Sequence, residues 1–336
     1  MKVPSRVRLT FYLLALAGAA LFTALLVREG APQVAKAIAT ARWAILGVIA
    51  YHLCVPVFLD ALAWWILFPK NDRLPLRRIF WMRWIGESVS TLVPSAAVGG
   101  DIVRARLAAI HGAPLPVAAG TVLVDLTLGV FTQAAFTLLG VLLLVQATGQ
   151  RSFVGPTIVG TLVGVAAVGG FYFVQRLGMF GFLARMIGKL ANSPEWQSLV
   201  QSGESLDVTV RTLYARRGAV IGCCAWTILS LILNSGEIWI ALYALNLNAT
   251  VMNAVILQST VLTVRNVAFA VPSGLGVQEG GYVLIGNLLG IDGPSALALS
   301  LIARVRELGL GIPGLLTWQL IEGRRLLRER ANPASE

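Results

Sequence analysis

The sequence predicts an all-α integral membrane protein with six full transmembrane helices plus two re-entrant helical hairpins in an inverted repeat. Three observations lead there. Hydrophobic residues make up 57% of the 336 positions and charged residues only 13%, with a mean hydropathy of +0.76, whereas a soluble chain carries about 25% charged residues. Six apolar stretches reach the roughly 20 residues that a helix needs to cross a bilayer. Two more apolar stretches are interrupted by proline and glycine in the same pattern.

The first span is expected near 9–27, behind Lys2, Arg6 and Arg8. Its apolar run exceeds the roughly 7–15 residues of a signal-peptide core, so it reads as a retained helix, with cleavage near Pro32–Lys36 as the alternative. The other spans are expected near 43–68, 116–146, 153–175, 219–246 and 294–320. Between the fourth and fifth, 176–217 mixes Arg185, Lys189, Glu195, Glu204, Asp207 and Arg211 with periodic apolar residues. It reads as an amphipathic cytoplasmic helix on an anionic leaflet, followed by a solvated loop.

The two interrupted stretches lie near 79–109 and 251–292. Each holds a Val-Pro-Ser motif followed by glycines, and each carries ionisable residues at membrane depth: Arg83 and Glu87 in the first, Arg265 and Glu279 in the second. Broken backbone is tolerated at this depth only where protein or water shields it. With both stretches taken as hairpins, one side of the membrane collects nearly all the Lys and Arg. The other keeps only Arg28, Lys36, Arg42 and Arg151. The excess marks the cytoplasm, so the chain is expected to be a multi-pass protein of the cell inner membrane with both termini cytoplasmic.

A shift of 178 positions lays Val93-Pro94-Ser95 on Val271-Pro272-Ser273, Asp101 on Glu279, Gly112 on Gly290, Pro116 on Pro294 and Ala118 on Ala296. It divides the single membrane domain into repeat A, about 43–146, a connecting helix and cytoplasmic segment, about 153–217, and repeat B, about 219–320. An odd number of spans between the copies inverts the second, as in transporters whose sites lie near the midplane. Proline, glycine and alanine also recur by chance in apolar chains, and the number of matches at one offset is what argues for duplication.

Buried ionisable groups cost about 2.5–3.5 kcal/mol each on insertion scales, so each needs a partner or a purpose. Asp101 and Arg104 stand three apart on one helical face behind Gly99 and Gly100, and Gly274 and Gly276 precede Glu279 in the same way. Glycine-flanked helix starts expose backbone N–H groups that suit a lipid phosphate. These residues, with Arg304 and Arg306, are the candidate substrate contacts, against the alternative that the hairpins only pack. Glu87, Arg265, Asp125 and Glu307 are candidate structural or coupling groups. Glu87 falls on Arg265 under the 178 shift, which suggests a pair across the pseudo-two-fold axis. Arg304, Arg306 and Glu307 equally fit ion pairs within or between helices. Asp60 reads as a carboxylate reaching water near Trp64 and Trp65, and Glu237 as a coupling group or a hydrogen-bonding one.

His52 and His111 are lone histidines, and Cys54, Cys223 and Cys224 lie in apolar runs without ligand spacing. Neither a metal site, a disulfide nor a catalytic triad is indicated. No phosphate-binding loop motif is present, so direct ATP coupling is not expected. The net charge of +11 belongs to the topology signals rather than to nucleic acid binding.

Val93-Pro94-Ser95 followed by Gly99-Gly100-Asp101 and Arg104, with Val271-Pro272-Ser273-Gly274-Leu275-Gly276-Val277-Gln278-Glu279-Gly280 later in the chain, resembles the lysylphosphatidylglycerol synthase/flippase transmembrane family. The resemblance spans about residues 10–325 and is closest to the hopanoid-associated branch. It implies flippase-like movement of an amphipathic lipid between leaflets, with no cofactor and with a membrane lipid as the partner. A homo-oligomer and lipid-biosynthesis partner proteins are both compatible with it. The chain stops at Glu336, so the aminoacyltransferase activity of larger members is not implied. Relatives often show an Asp-Arg pair where this chain has Asp125-Leu126, which puts a carried-over role there in doubt. The competing expectations are an intramembrane transferase, for which no nucleophile or acid/base pair stands out, and a non-transporting scaffold.

Overall fold

Residues 20–41, 43–93, 99–149, 154–179, 194–247, 250–267, 271 and 274–331 are described by a computed structural model. Among them the regular structure is all helical. Helix α1 covers 20–29, and α2 is Ala31–Ala41. The first expected span, 9–27, lies mostly outside the described residues. The 32–36 stretch is inside α2, where Val34 is buried.

The expected 43–68 helix is two helices, α3 (Ala44–Cys54) and α4 (Pro56–Leu67). Pro56 at the first position of α4 has no N–H to donate back along α3, so the ladder restarts there. Helix α5 (Leu76–Leu92) packs on α6 (Gly99–Ile110), and α7 (Leu115–Thr148) follows with Pro116 in its first turn. Next come α8 (Val154–Leu177) and α9 (Pro194–Ala215). The chain then forms α10 (Arg217–Ala244), α11 (Val251–Val267), α12 (Val277–Leu288) and α13 (Gly293–Ala331).

Four spans are long and apolar enough to cross a membrane: Ala44–Leu67, Leu115–Thr148, Ile158–Leu177 and Arg217–Ala244. The expected 294–320 span lies within α13 but is not among them, because Arg304, Arg306 and Glu307 interrupt its apolar run. At 17 and 12 residues, α5 and α6 rise about 26 and 18 Å. Helices α11 and α12 have the same lengths. None of the four reaches the roughly 30 Å of a hydrocarbon core alone. The Val-Pro-Ser turns themselves fall largely outside the described residues. Element starts recur, however: α6 and α12 begin at Gly99 and Val277, and α7 and α13 at Leu115 and Gly293, each pair 178 positions apart.

Close packing of the broken helices depends on missing side chains. A Cβ on Gly100 would lie 2.0 Å from the Gly86 carbonyl oxygen, and one on Gly140 would lie 1.6 Å from Ser259 Oγ. The backbones of α5 and α6, and of α7 and α11, therefore approach as only glycine allows. The expected leaflet helix lies largely at 180–193, outside the described residues, but where a solvated loop was expected after it the chain is helical. Helix α9 runs through to Ala215 and buries Val210, Leu213 and Tyr214 in a cluster with Leu67, Val124 and Leu128. The Tyr214 hydroxyl donates to Gln175 Oε1 at 3.0 Å. Arg216 then clamps the end of α4, donating to the Leu67 carbonyl at 2.7 Å, which satisfies one of the carbonyls that a helix end leaves open.

Candidate functional site

The buried charges gather into two networks. In the first, Arg83 of α5 donates to Asp60 of α4 at 2.9 Å and to Asp125 of α7 at 3.1 Å. Arg104 of α6 reaches the same Asp125 oxygen at 2.8 Å and Asp101 at 2.7 Å. Arg104, counted in sequence among the cytoplasmic positive charges, is only 2% exposed, and its guanidinium lies over the fully buried ring of Trp64, 4.9 Å from the centroid. Trp64 is therefore a wall of this site rather than an interfacial anchor. Its Nε1 donates to Thr121. Three carboxylates here face two guanidiniums.

A cavity of about 100 Å³ opens beside this network, lined by Asp60, Ala63, Arg83, Asp125, Leu126 and Thr227 among others. That volume admits several waters or a small polar group. Leu126, 39% exposed on the outside of α7, stands at its rim. The residue after Asp125 is thus an apolar lip on a polar cavity.

The second network is built on α13. Arg304 donates to Glu279 of α12 at 2.9 Å and to Glu307 at 3.1 Å, and Arg265 of α11 pairs with Glu307 and donates to Gln278 at 3.1 Å. Glu279 is 0% exposed, and its other oxygen accepts the Gly276 N–H at 2.7 Å. The helix start expected to offer N–H groups to a phosphate is thus partly filled by the chain's own carboxylate. Gly274 and Gly276 have φ of +59° and +78°, a left-handed turn that glycine supplies without strain.

The expected Glu87–Arg265 pair does not form. Arg265 turns to Glu307, and Glu87 meets His52 Nε2 at 2.9 Å. His52, set aside in sequence as a lone residue, is a centre: its Nδ1 lies 2.9 Å from Glu237 of α10, and Arg306 Nη1 stands 3.1 Å from both ring nitrogens. Arg306 Nη2 continues to Glu307 at 3.9 Å. Asp60, Arg83, Glu237 and His52 are the functional candidates that the sequence reading did not place in the site. Asp60, Glu237 and His52 give one signal, an ionisable group in an apolar run without an opposite charge on its own helical face, whereas Arg83 stands one turn from Glu87 on α5.

The structure thus brings together Asp101, Arg104 and Asp125 in one network, and Glu279, Arg304, Arg306, Glu307, Arg265 and Glu87 in the other. Gly100 serves the contact of α5 with α6, and Gly99 begins α6. Among the described residues no cluster of His, Cys, Asp and Glu has the geometry to hold a metal ion. The arrangement offers charged hydrogen-bonding surface between apolar helices, suited to binding a polar group.

Comparison with curated proteins and with solved structures gives no match. A family model, described as the lysylphosphatidylglycerol synthase TM region, matches residues 12–314. With its apolar helices and with that match over most of its length, this chain is a multi-pass membrane protein that belongs to the lysylphosphatidylglycerol synthase transmembrane-region family.

Proposed function

We propose that this protein moves an amphipathic membrane lipid between leaflets, holding the headgroup in the charged interior while the acyl chains stay in the bilayer. The observation that carries the reading is the cavity beside Asp60, Arg83 and Asp125. It is polar inside, with apolar Leu126 at its exposed rim on a membrane-length helix. A lipid headgroup entering sideways needs such a boundary between polar and apolar surface. Three carboxylates against two guanidiniums favour a headgroup with a positive nitrogen, its phosphate meeting Arg83. Family membership supports a role connected with membrane lipids.

The inverted repeat is part of this reading. The helix starts that recur at 178 positions, and hairpin arms too short to span, support two re-entrant units facing opposite ways around the charged interior. The excess of Lys and Arg supports cytoplasmic termini in an inner membrane. The resemblance to the hopanoid-associated branch of the family belongs to the same reading.

The test uses purified protein in liposomes carrying headgroup-labelled fluorescent phospholipids and a membrane-impermeant quencher. Wild type is expected to expose the inner-leaflet label, and the Asp60→Asn/Asp125→Asn double variant to slow that exposure at least tenfold. Exposure no faster than in empty liposomes refutes the proposal; a chemically altered lipid would point to a transferase, and neither result to a scaffold.

A further inference from the structure

His52 holds a carboxylate oxygen at 2.9 Å from each ring nitrogen, Glu237 on Nδ1 and Glu87 on Nε2. A neutral imidazole has one N–H donor and one lone-pair acceptor, and a carboxylate only accepts. With a neutral ring, one of the two contacts would set lone pair against lone pair, in a site where the His52 side chain is 5% exposed. Low dielectric makes such a contact costly. Either neutral tautomer meets the same conflict, since both nitrogens face carboxylates.

The charge count of the network agrees independently. His52 joins Glu87 to Glu237, Arg306 links Glu237 to Glu307, and Arg265 and Arg304 pair with Glu307 and Glu279. Four carboxylates meet three guanidiniums, and an imidazolium supplies the fourth positive charge. Arg306 also faces this ring, a positive charge that opposes the imidazolium and that Glu237 and Glu307 offset; Arg83, one turn before Glu87 on α5, Tyr282 of α12 and Tyr51 stand near the carboxylates. The Tyr51 hydroxyl already donates to the Leu233 carbonyl at 2.6 Å.

We propose that His52, held as an imidazolium between Glu87 and Glu237, is a proton-binding site that locks the first helical unit to the second. The contacts span the two units: His52 and Glu87 come from α3 and α5, Glu237 and Arg306 from α10 and α13. Release transfers the Nε2 proton to Glu87 Oε1 and from there to water, leaving hydronium, a neutral ring and Nδ1–H still on Glu237. Glu87, 34% exposed beside a cavity of about 10 Å³ that also touches Arg306, supplies the route to water. The lock then holds a surplus carboxylate, and the bridge from Glu87 of α5 through His52 to Glu237 of α10 is broken. Resting on the lipid-translocation reading, this makes the proton the coupling ion.

The chain has two histidines, so ¹⁵N-histidine NMR of the protein in lipid nanodiscs resolves the ring, with His111→Asn assigning its signals. At pH 7 wild type is expected to show two protonated nitrogens on His52, and Glu87→Gln/Glu237→Gln a single neutral tautomer. A neutral tautomer in wild type overturns the proposal without any variant. In the liposome assay, a transmembrane step of two pH units is expected to change the initial rate at least fivefold in wild type and less than 1.5-fold in His52→Gln. Lipid movement indifferent to the step overturns the coupling. If no lipid moves at any pH, the translocation reading fails, while the NMR result still decides the proton site.

Discussion

Replacing Glu279 by glutamine measures how firmly the second network is held. Its carboxylate accepts from Gly276 N–H at 2.7 Å, Arg304 Nε at 2.9 Å and, more weakly, Ser300 Oγ at 3.4 Å. Glutamine keeps one acceptor oxygen and turns an NH2 group toward the other donor, so either the helix cap or the arginine contact is lost. A hydrogen bond to a charged group contributes about 1.5–3 kcal/mol, and a helix cap about 1 kcal/mol. Arg304 retains Glu307 at 3.1 Å, so the guanidinium is not stranded. The expected loss is therefore about 2–3 kcal/mol, below the roughly 3–5 kcal/mol of leaving a buried charge wholly unpaired.

The assay is reversible unfolding in mixed micelles with increasing SDS, followed by tryptophan fluorescence and repeated in an Arg304→Met background. There the arginine contact is already gone, the amide oxygen can stay on Gly276 N–H, and Glu279→Gln should cost at most a weakened cap, under about 1 kcal/mol. The coupling between the two positions is then about 1–2 kcal/mol, within the range found for residues in one ionic network. A loss under about 0.5 kcal/mol, or an equal loss in both backgrounds, refutes the placement of this carboxylate between Gly276 and Arg304.

Two further predictions concern helix contacts. Gly100→Ala should cost about 1–3 kcal/mol in the same assay, because its Cβ meets the Gly86 backbone oxygen, while Gly47→Ala, in open space, should be neutral or stabilising. Gly140→Ala should destabilise by a similar amount, and adding Ser259→Gly should restore most of it, since a side-chain hydroxyl is what the new methyl meets; absence of rescue would disprove the α7–α11 contact.

Much of the helical framework was legible because its causes are local. Length and apolarity mark the spans, and proline at 116 and 294 marks two helix starts. The pairs Asp101/Arg104 and Arg304/Glu307 could be read from the sequence, since a three-residue separation on a helix is enough to join them. The break at Pro56 was missed because apolarity continues through it. The stretch that forms helix α9 was read as a solvated loop because the partner of its Tyr214, Gln175, lies on a different helix, α8.

Pairing between helices was not legible, and Glu87 shows why. A two-fold relation brings equivalent residues into contact only if both lie on the axis, and helix rotation decides that. Arg265 instead reaches from α11 to Glu307 of α13, which leaves Glu87 to His52. A count made without any pairing would have been more informative. The buried carboxylates at 60, 87, 101, 125, 237, 279 and 307 outnumber the guanidiniums at 83, 104, 265, 304 and 306 by two. Uncompensated charge at membrane depth is too costly to be idle. An imidazolium at His52 removes one unit of the imbalance, and the other stays at the cavity between Asp60 and Asp125, where an incoming positive headgroup would complete the neutralisation that the chain leaves open.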